Sequence, residues 1–174
     1  MALLVPMRSQ IRNSSGFTLI EILITLAISS ALIGVTVAGY GDFTSRQAVD
    51  SATRVLYSGL RLAQSKATSG EKPASCAGSF DGYRFRFLSS GGNITSFEMR
   101  PICSGTEMTG TTTALPTNVT YTLSGTTPSF FTFKPLGLGT DISSASPATI
   151  TVSRSVAGAT RSFVVTVTSS GEIK

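Results

Sequence analysis

The chain has no histidine and no tryptophan, contains only two cysteines, and is sparsely charged, with Asp, Glu, Lys and Arg making up 13% of its 174 residues. Without histidine, no Ser-His or Cys-His pair can activate a nucleophile. The two cysteines, Cys76 and Cys103, cannot assemble the usual four-ligand zinc sets by themselves. No glycine-rich phosphate loop opens a helix, because Gly137-Leu138-Gly139 runs on into loop and Pro147. Glu71, Asp81, Glu98, Glu107 and Asp141 show no paired spacing and read as solvated charges. These absences argue against an enzyme, so no catalytic residue, metal site or cofactor is expected.

Proline is missing from Phe17 through Lys72, so nothing there interrupts a helix. What fills the first part of that stretch is apolar. Ile22 to Tyr40 contains no Asp, Glu, Lys or Arg, and Glu21 stands at its N-terminal edge. A bilayer core takes about 20 apolar residues as a helix, so the run is long enough to span. A carboxylate beside a span is costly, about 2.5–3.5 kcal/mol at the centre and less near an interface. A secretory signal peptide cut near Val37-Ala38-Gly39 and a plain single-pass anchor are two simpler readings. However, the run is long for a signal sequence, and an anchor leaves Glu21 unexplained.

The stretch Ser15-Gly16-Phe17-Thr18-Leu19-Ile20-Glu21, followed by that apolar run, resembles the N-terminus of type IV prepilins and type II secretion pseudopilins. The resemblance implies a membrane-embedded prepilin peptidase that cuts between Gly16 and Phe17 and methylates the new amine of Phe17. It also implies that Glu21 is an assembly contact, facing the N-terminus of a neighbouring subunit. Residues 1–16 would be the leader. Its only charges, Arg8 and Arg12, keep it cytoplasmic, and the short leaders usual in the family point to Met7 rather than Met1 as the start. Residues 17–40 would form the transmembrane and filament-core helix, 41–70 its amphipathic continuation, and 71–174 an extracytoplasmic β domain. The implied partners are other pilins or pseudopilins, the peptidase and the inner membrane. The N-terminus would be cytoplasmic and the β domain periplasmic or extracellular.

Beyond Tyr40 the pattern turns amphipathic. Val49, Ala52, Leu56, Leu60, Ala63 and Ala67 recur at helical spacing, which is the mark of one buried face. Arg46, Asp50, Arg54, Arg61 and Gln64 occupy the remainder, with Asp50 and Arg54 a favourable i,i+4 pair. The spacing predicts one helix from Phe17 to Thr68, stopped by Ser69-Gly70-Glu71-Lys72-Pro73. A period of two then takes over. Tyr83, Phe85 and Phe87 alternate with Arg84 and Arg86, and a turn over Ser89–Asn93 leads to a partner strand at Ile94–Arg100. Further strands are predicted at Val119–Leu123, Phe130–Phe133, Thr149–Ser153 and Ser162–Thr168. Ser104–Pro116 and Gly137–Pro147 read as loops. The expected class is α+β and pilin-like: one long N-terminal helix packed on an antiparallel β-sheet.

Within the prepilin group, Leu60-Arg61-Leu62-Ala63-Gln64-Ser65-Lys66-Ala67 and Phe133-Lys134-Pro135-Leu136-Gly137 are similar to motifs of the GspH/FimT-like branch. The absence of a mid-helix proline favours a minor pilin or pseudopilin. Cys76 and Cys103 both follow the span, and on the exported side they meet an oxidising compartment, where they can form one internal bridge. That bridge would close a loop of about 27 residues and stabilise by about 3 kcal/mol.

DNA is the alternative partner, since some FimT-like minor pilins bind it through a C-terminal arginine motif. Here the C-terminus is Gly171-Glu172-Ile173-Lys174, which carries no arginine. The remaining candidates are Arg84, Arg86, Arg100, Arg154 and Arg161, and the net charge of +5 selects no partner by itself.

Overall fold

The computed structural model describes residues 16–125, 129–156 and 159–174, and for residues 35–39 the backbone only. Of the predicted leader, only Gly16 falls among the described residues; Arg8, Arg12, Met1 and Met7 lie outside them. The chain divides into two units at Tyr40 and Gly41.

Helix α1 (Leu19–Thr68) begins two residues later than the spacing predicts. The reason is local. Thr18 takes the N-cap position: its carbonyl accepts from the N–H groups of Glu21 and Ile22 at 3.1 and 3.2 Å, and its hydroxyl accepts from Glu21 N–H at 3.3 Å. Capping by a side-chain oxygen satisfies amide donors that have no partner inside the helix. The helix ends at the predicted residue. Gly70, at φ 65°, donates to Ala67 O and Glu71 N–H donates to Lys66 O, the bond pattern of a Schellman stop.

In the first unit, every described residue from Gly16 to Gly34 is exposed, and most are apolar. Among the described residues no helix is long and apolar enough to cross a membrane, and side chains are described only as far as Gly34 before the gap at 35–39.

In the second unit, the predicted face is buried throughout: Val49, Ala52, Leu56, Leu60, Ala63 and Ala67 have almost no accessible surface. It shares one core with two sheets, which among the described residues comprise eight strands. β1 (Phe80–Ser90) and β2 (Asn93–Cys103) form the expected hairpin, turning at Gly91 and Gly92. β3 (Thr106–Glu107), β4 (Thr111–Ala114), β5 (Thr120–Ser124), β6 (Phe130–Phe133), β7 (Ala148–Val156) and β8 (Ala159–Val167) follow. They make two antiparallel sheets rather than one. The first has the order β3-β2-β1-β6 with β4 also on β2, and the second is β5-β7-β8.

The stretch Ser104–Pro116, expected as loop, therefore contains β3 and β4. β4 pairs Thr111–Ala114 with Met99–Ser96 of β2. Its threonines suit a pleated surface, but with Ala114 as its one apolar residue the strand gives no period-two signal.

Aromatic rings fill the space between the first sheet and the helix. Phe85 stacks on Phe97 and Phe131 at centroid distances of 4.7 and 5.8 Å, and Phe131 meets Phe133 edge-on at 5.5 Å. Gly82 makes this packing possible. At φ 128°, a Cβ there would lie 2.1 Å from the carbonyl oxygen of Phe133, at the register shift between Phe80 and Gly82. A disulfide joins Cys76 to Cys103, Cα–Cα 5.7 Å, tying the segment after the helix to the end of β2.

Candidate functional site

Two groups of predicted site residues can be located, one in each unit. In the first unit, Gly16 and Phe17 lie ahead of the helix in non-helical backbone, and Phe17 is 78% exposed. An ideal Cβ at Gly16 would meet nothing within 4 Å. The Gly16–Phe17 peptide bond is thus outside helical hydrogen bonding.

Glu21 is exposed and occupies the third helical position after the Thr18 cap. Thr18-Leu19-Ile20-Glu21 is the Ser/Thr-x-x-Glu pattern of a capping box. A carboxylate in the first turn also interacts favourably with the positive end of the helix. Glu21 therefore sits where its charge favours the helix terminus, a placement that sequence reasoning missed. The signal was available in the three-residue spacing from Thr18.

In the second unit, the candidate arginines converge on carboxylates. Arg84 and Arg86 project from β1 on the face opposite Tyr83, Phe85 and Phe87. Arg100 sits directly across from Arg84 on β2. Glu107 of β3 receives all three: Arg84 in a short ion pair, Arg86 at 2.7 Å and Arg100 at 3.5 Å. Arg100 also forms an ion pair with the buried Glu98 at 2.8 Å, and that carboxylate raises the pKa of the guanidinium. Above them the ring of Phe130 receives Arg84 at 4.3 Å and Arg86 at 5.4 Å from its centroid, within cation–π range.

Arg161 is engaged as well, donating from Nε and Nη2 to Asp42 at 2.8 and 3.1 Å. Arg154 faces Arg161 across the β7–β8 ladder and has no ion pair among the described residues. The structure thus gathers three of the five candidates into one cluster, largely offset by Glu98 and Glu107, and places the other two on the second sheet. Charges held in this way are poorly placed to release counterions from a phosphate backbone. Among the described residues, no group of three or more His, Cys, Asp or Glu could hold a metal ion.

Comparison with known proteins bears on the first group. Residues 11–37 match the family model of the prokaryotic N-terminal methylation motif. This match supports a prepilin-like protein of the type IV pilin and pseudopilin kind, processed by prepilin peptidase. No curated protein and no solved structure matches the chain.

Proposed function

We propose that the chain is a structural subunit of a type IV pilus or type II secretion pseudopilus, cut between Gly16 and Phe17 and methylated on Phe17. The match to the N-terminal methylation motif over residues 11–37 carries this reading. The exposed apolar helix agrees with it, since Leu19, Ile20, Leu26, Leu32 and Ile33 are each more than 60% exposed and need lipid or neighbouring helices to cover them. Before assembly this helix holds the subunit in the inner membrane, with the N-terminus cytoplasmic and the β domain on the far side. In the filament, Glu21 faces a neighbour's terminal amine and sets axial register. The GspH/FimT-like branch, and with it a minor rather than a major subunit, is the finer form of this proposal. The DNA-binding alternative draws no support from the arginines, because Glu98, Glu107 and Asp42 already engage four of them.

Expression with and without a prepilin peptidase tests the reading. The expected result is a mature chain beginning with N-methylated Phe17 by mass spectrometry, and an unshifted precursor for Gly16→Val. Cleavage near Gly39, or none at all, would overturn it. Glu21→Ala is expected to be processed but poorly incorporated into filaments. Incorporation at the wild-type level would remove the register role while leaving the processing reading intact.

A further inference from the structure

The second sheet ends in an incompletely covered edge. Among the described residues, β8 pairs with β7 on one side, and on the other residues 172–174 pair with one end of it. Thr166 and Lys174 exchange both backbone hydrogen bonds, at 2.9 and 3.0 Å, and Thr168 N–H donates to Glu172 O at 3.0 Å. In an antiparallel ladder, outward and inward bonding alternate along the strand. Since Thr166 bonds outward, so must Val164, Ser162 and Thr160. Among the described residues, their N–H and C=O groups on that edge have no partner.

The usual protections of an edge are also missing, as this stretch has no proline and no lysine. Its single charge, Arg161, is turned to Asp42. Phe163 and Val164 are each 48% exposed.

Beside this edge runs a groove of about 440 Å³ lined by Thr53, Arg54, Tyr57 and Ser58 of the helix together with Phe163 and Lys174. The tail shows how such a place is filled. Ile173 bridges to Val167 through its backbone and buries its side chain to 3% exposure, while Glu172 and Lys174 on either side stay exposed. The groove has basic margins, because Arg54 has no ion pair among the described residues and Lys174 shares only the exposed Glu172.

We propose that the open edge of β8 is a binding site for an extended acidic segment of another protein. The segment would add a strand antiparallel to β8, in line with the tail. Main-chain bonds to Thr160, Ser162 and Val164 supply affinity, an alternate apolar side chain enters beside Phe163 and Tyr57, and a carboxylate meets Arg54 and Lys174. A second copy of this chain is the poorer occupant. The chain carries +5, or +3 once Arg8 and Arg12 leave with the proposed leader, so two copies repel each other where an acidic segment is attracted.

The test uses the full chain in mild detergent and a blocked, labelled peptide with valine at alternate positions and glutamate near one end. Fluorescence anisotropy is expected to show saturable binding that weakens with salt. Val164→Pro removes an outward N–H without touching the β7 ladder and should weaken binding about tenfold or more, a change set by losing edge bonds. Arg54→Glu should weaken the acidic peptide several-fold and leave a glutamine version of it unaffected. Hydrogen exchange gives an independent readout, in which the amides of Thr160, Ser162 and Val164 are fast in the free chain and slowed by peptide. Unchanged binding in a folded Val164→Pro chain, or amides already protected without peptide, would overturn the proposal. So would a Val164-dependent dimer that excludes the peptide, which would assign the edge to a second copy.

Discussion

Helix α1 is written in two different ways, and the two halves show what a helix needs from its sequence. From Leu19 to Gly34 apolar residues lie all round the helix, among Glu21, Thr25, Ser29 and Ser30, and every residue is exposed. From Gly41 to Thr68 most apolar residues keep to one face, Phe43 and Leu62 being the exposed exceptions, and that face is buried against the sheets. A helix that is apolar on all sides must be covered on all sides. Among the described residues of the first unit nothing covers it, which fits the assembly with other pilins that the N-terminal methylation motif implies. The second half finds its partners within the chain and leaves a polar face to solvent. One half is written for assembly, and the other for folding.

Truncation should separate the halves most sharply. Leu56→Ala and Leu60→Ala empty fully buried positions, and each is expected to lower stability by about 2–5 kcal/mol. Leu26→Ala removes the same atoms from a site 61% exposed and should change the stability of the β domain by less than about 0.5 kcal/mol. Urea unfolding followed by tyrosine fluorescence measures both, since the chain has no tryptophan. Comparable losses at Leu26 and Leu56 would break the contrast. Removing the Cys76–Cys103 link as the double alanine variant should cost about 3 kcal/mol. That loss too belongs to the second half alone, and Leu26→Ala should add nothing to it.

The same contrast decides what was legible in the sequence. Val49 through Ala67 could be read because a helical stripe and a buried face are one fact stated twice. The β1–β2 hairpin was legible for the matching reason at period two: Tyr83, Phe85 and Phe87 all point into the core. Where a segment buries little, the pattern is silent, and the threonines of β4 passed for loop until β2 offered them an edge. The split into two sheets was illegible because it depends on which strands pair, and β1–β6 and β5–β7 join residues far apart in sequence. At the N-terminus, the motif from Gly16 to Glu21 is legible as a string of residue types, whereas the Thr18 cap inside it depends on where the helix starts, two residues later than the spacing predicts. The ion pairs of Arg84, Arg86 and Arg100 depend on Glu107, whose position on β3 no local pattern announces.

Two glycines of the helix offer a finer test, because the same substitution should act in opposite directions. Gly34 has nothing within 4 Å of an ideal Cβ. Gly34→Ala should firm up the first half by about 1 kcal/mol, the propensity difference between the two residues. At Gly59 the Cβ would lie 2.4 Å from the ring of Phe97. That ring is buried and stacked on Phe85, so it cannot swing aside freely. Overpacking of this kind costs about 1–3 kcal/mol and outweighs the gain in propensity. Amide exchange across the helix would show slower opening near residue 34 in the first variant and faster opening near residue 59 in the second.

The smallest expected effect lies where the second half begins. Asp42 accepts two hydrogen bonds from Arg161 of β8 and one from Arg46 on its own helix at 3.0 Å. The bond from Arg161, the larger cause, holds its carboxyl below the ordinary value of 3.8. The sign of the pH effect follows from that direction. A carboxylate that is more acidic in the folded chain binds fewer protons there than in the unfolded one, so stability rises with pH between the two values. Its contribution is complete above about 3.8 and fades as pH falls through the lower folded value. The group is open to solvent and screened by salt, so the effect is that of a surface pair. Melting curves of wild type and Asp42→Asn should therefore differ slightly at pH 6, with the wild type higher, and converge below the folded pKa. The difference should shrink in high salt. A gap that persisted at low pH would mean that Asp42 supports the helix through its backbone rather than through its charge, and the start of the second half would then be fixed by packing alone.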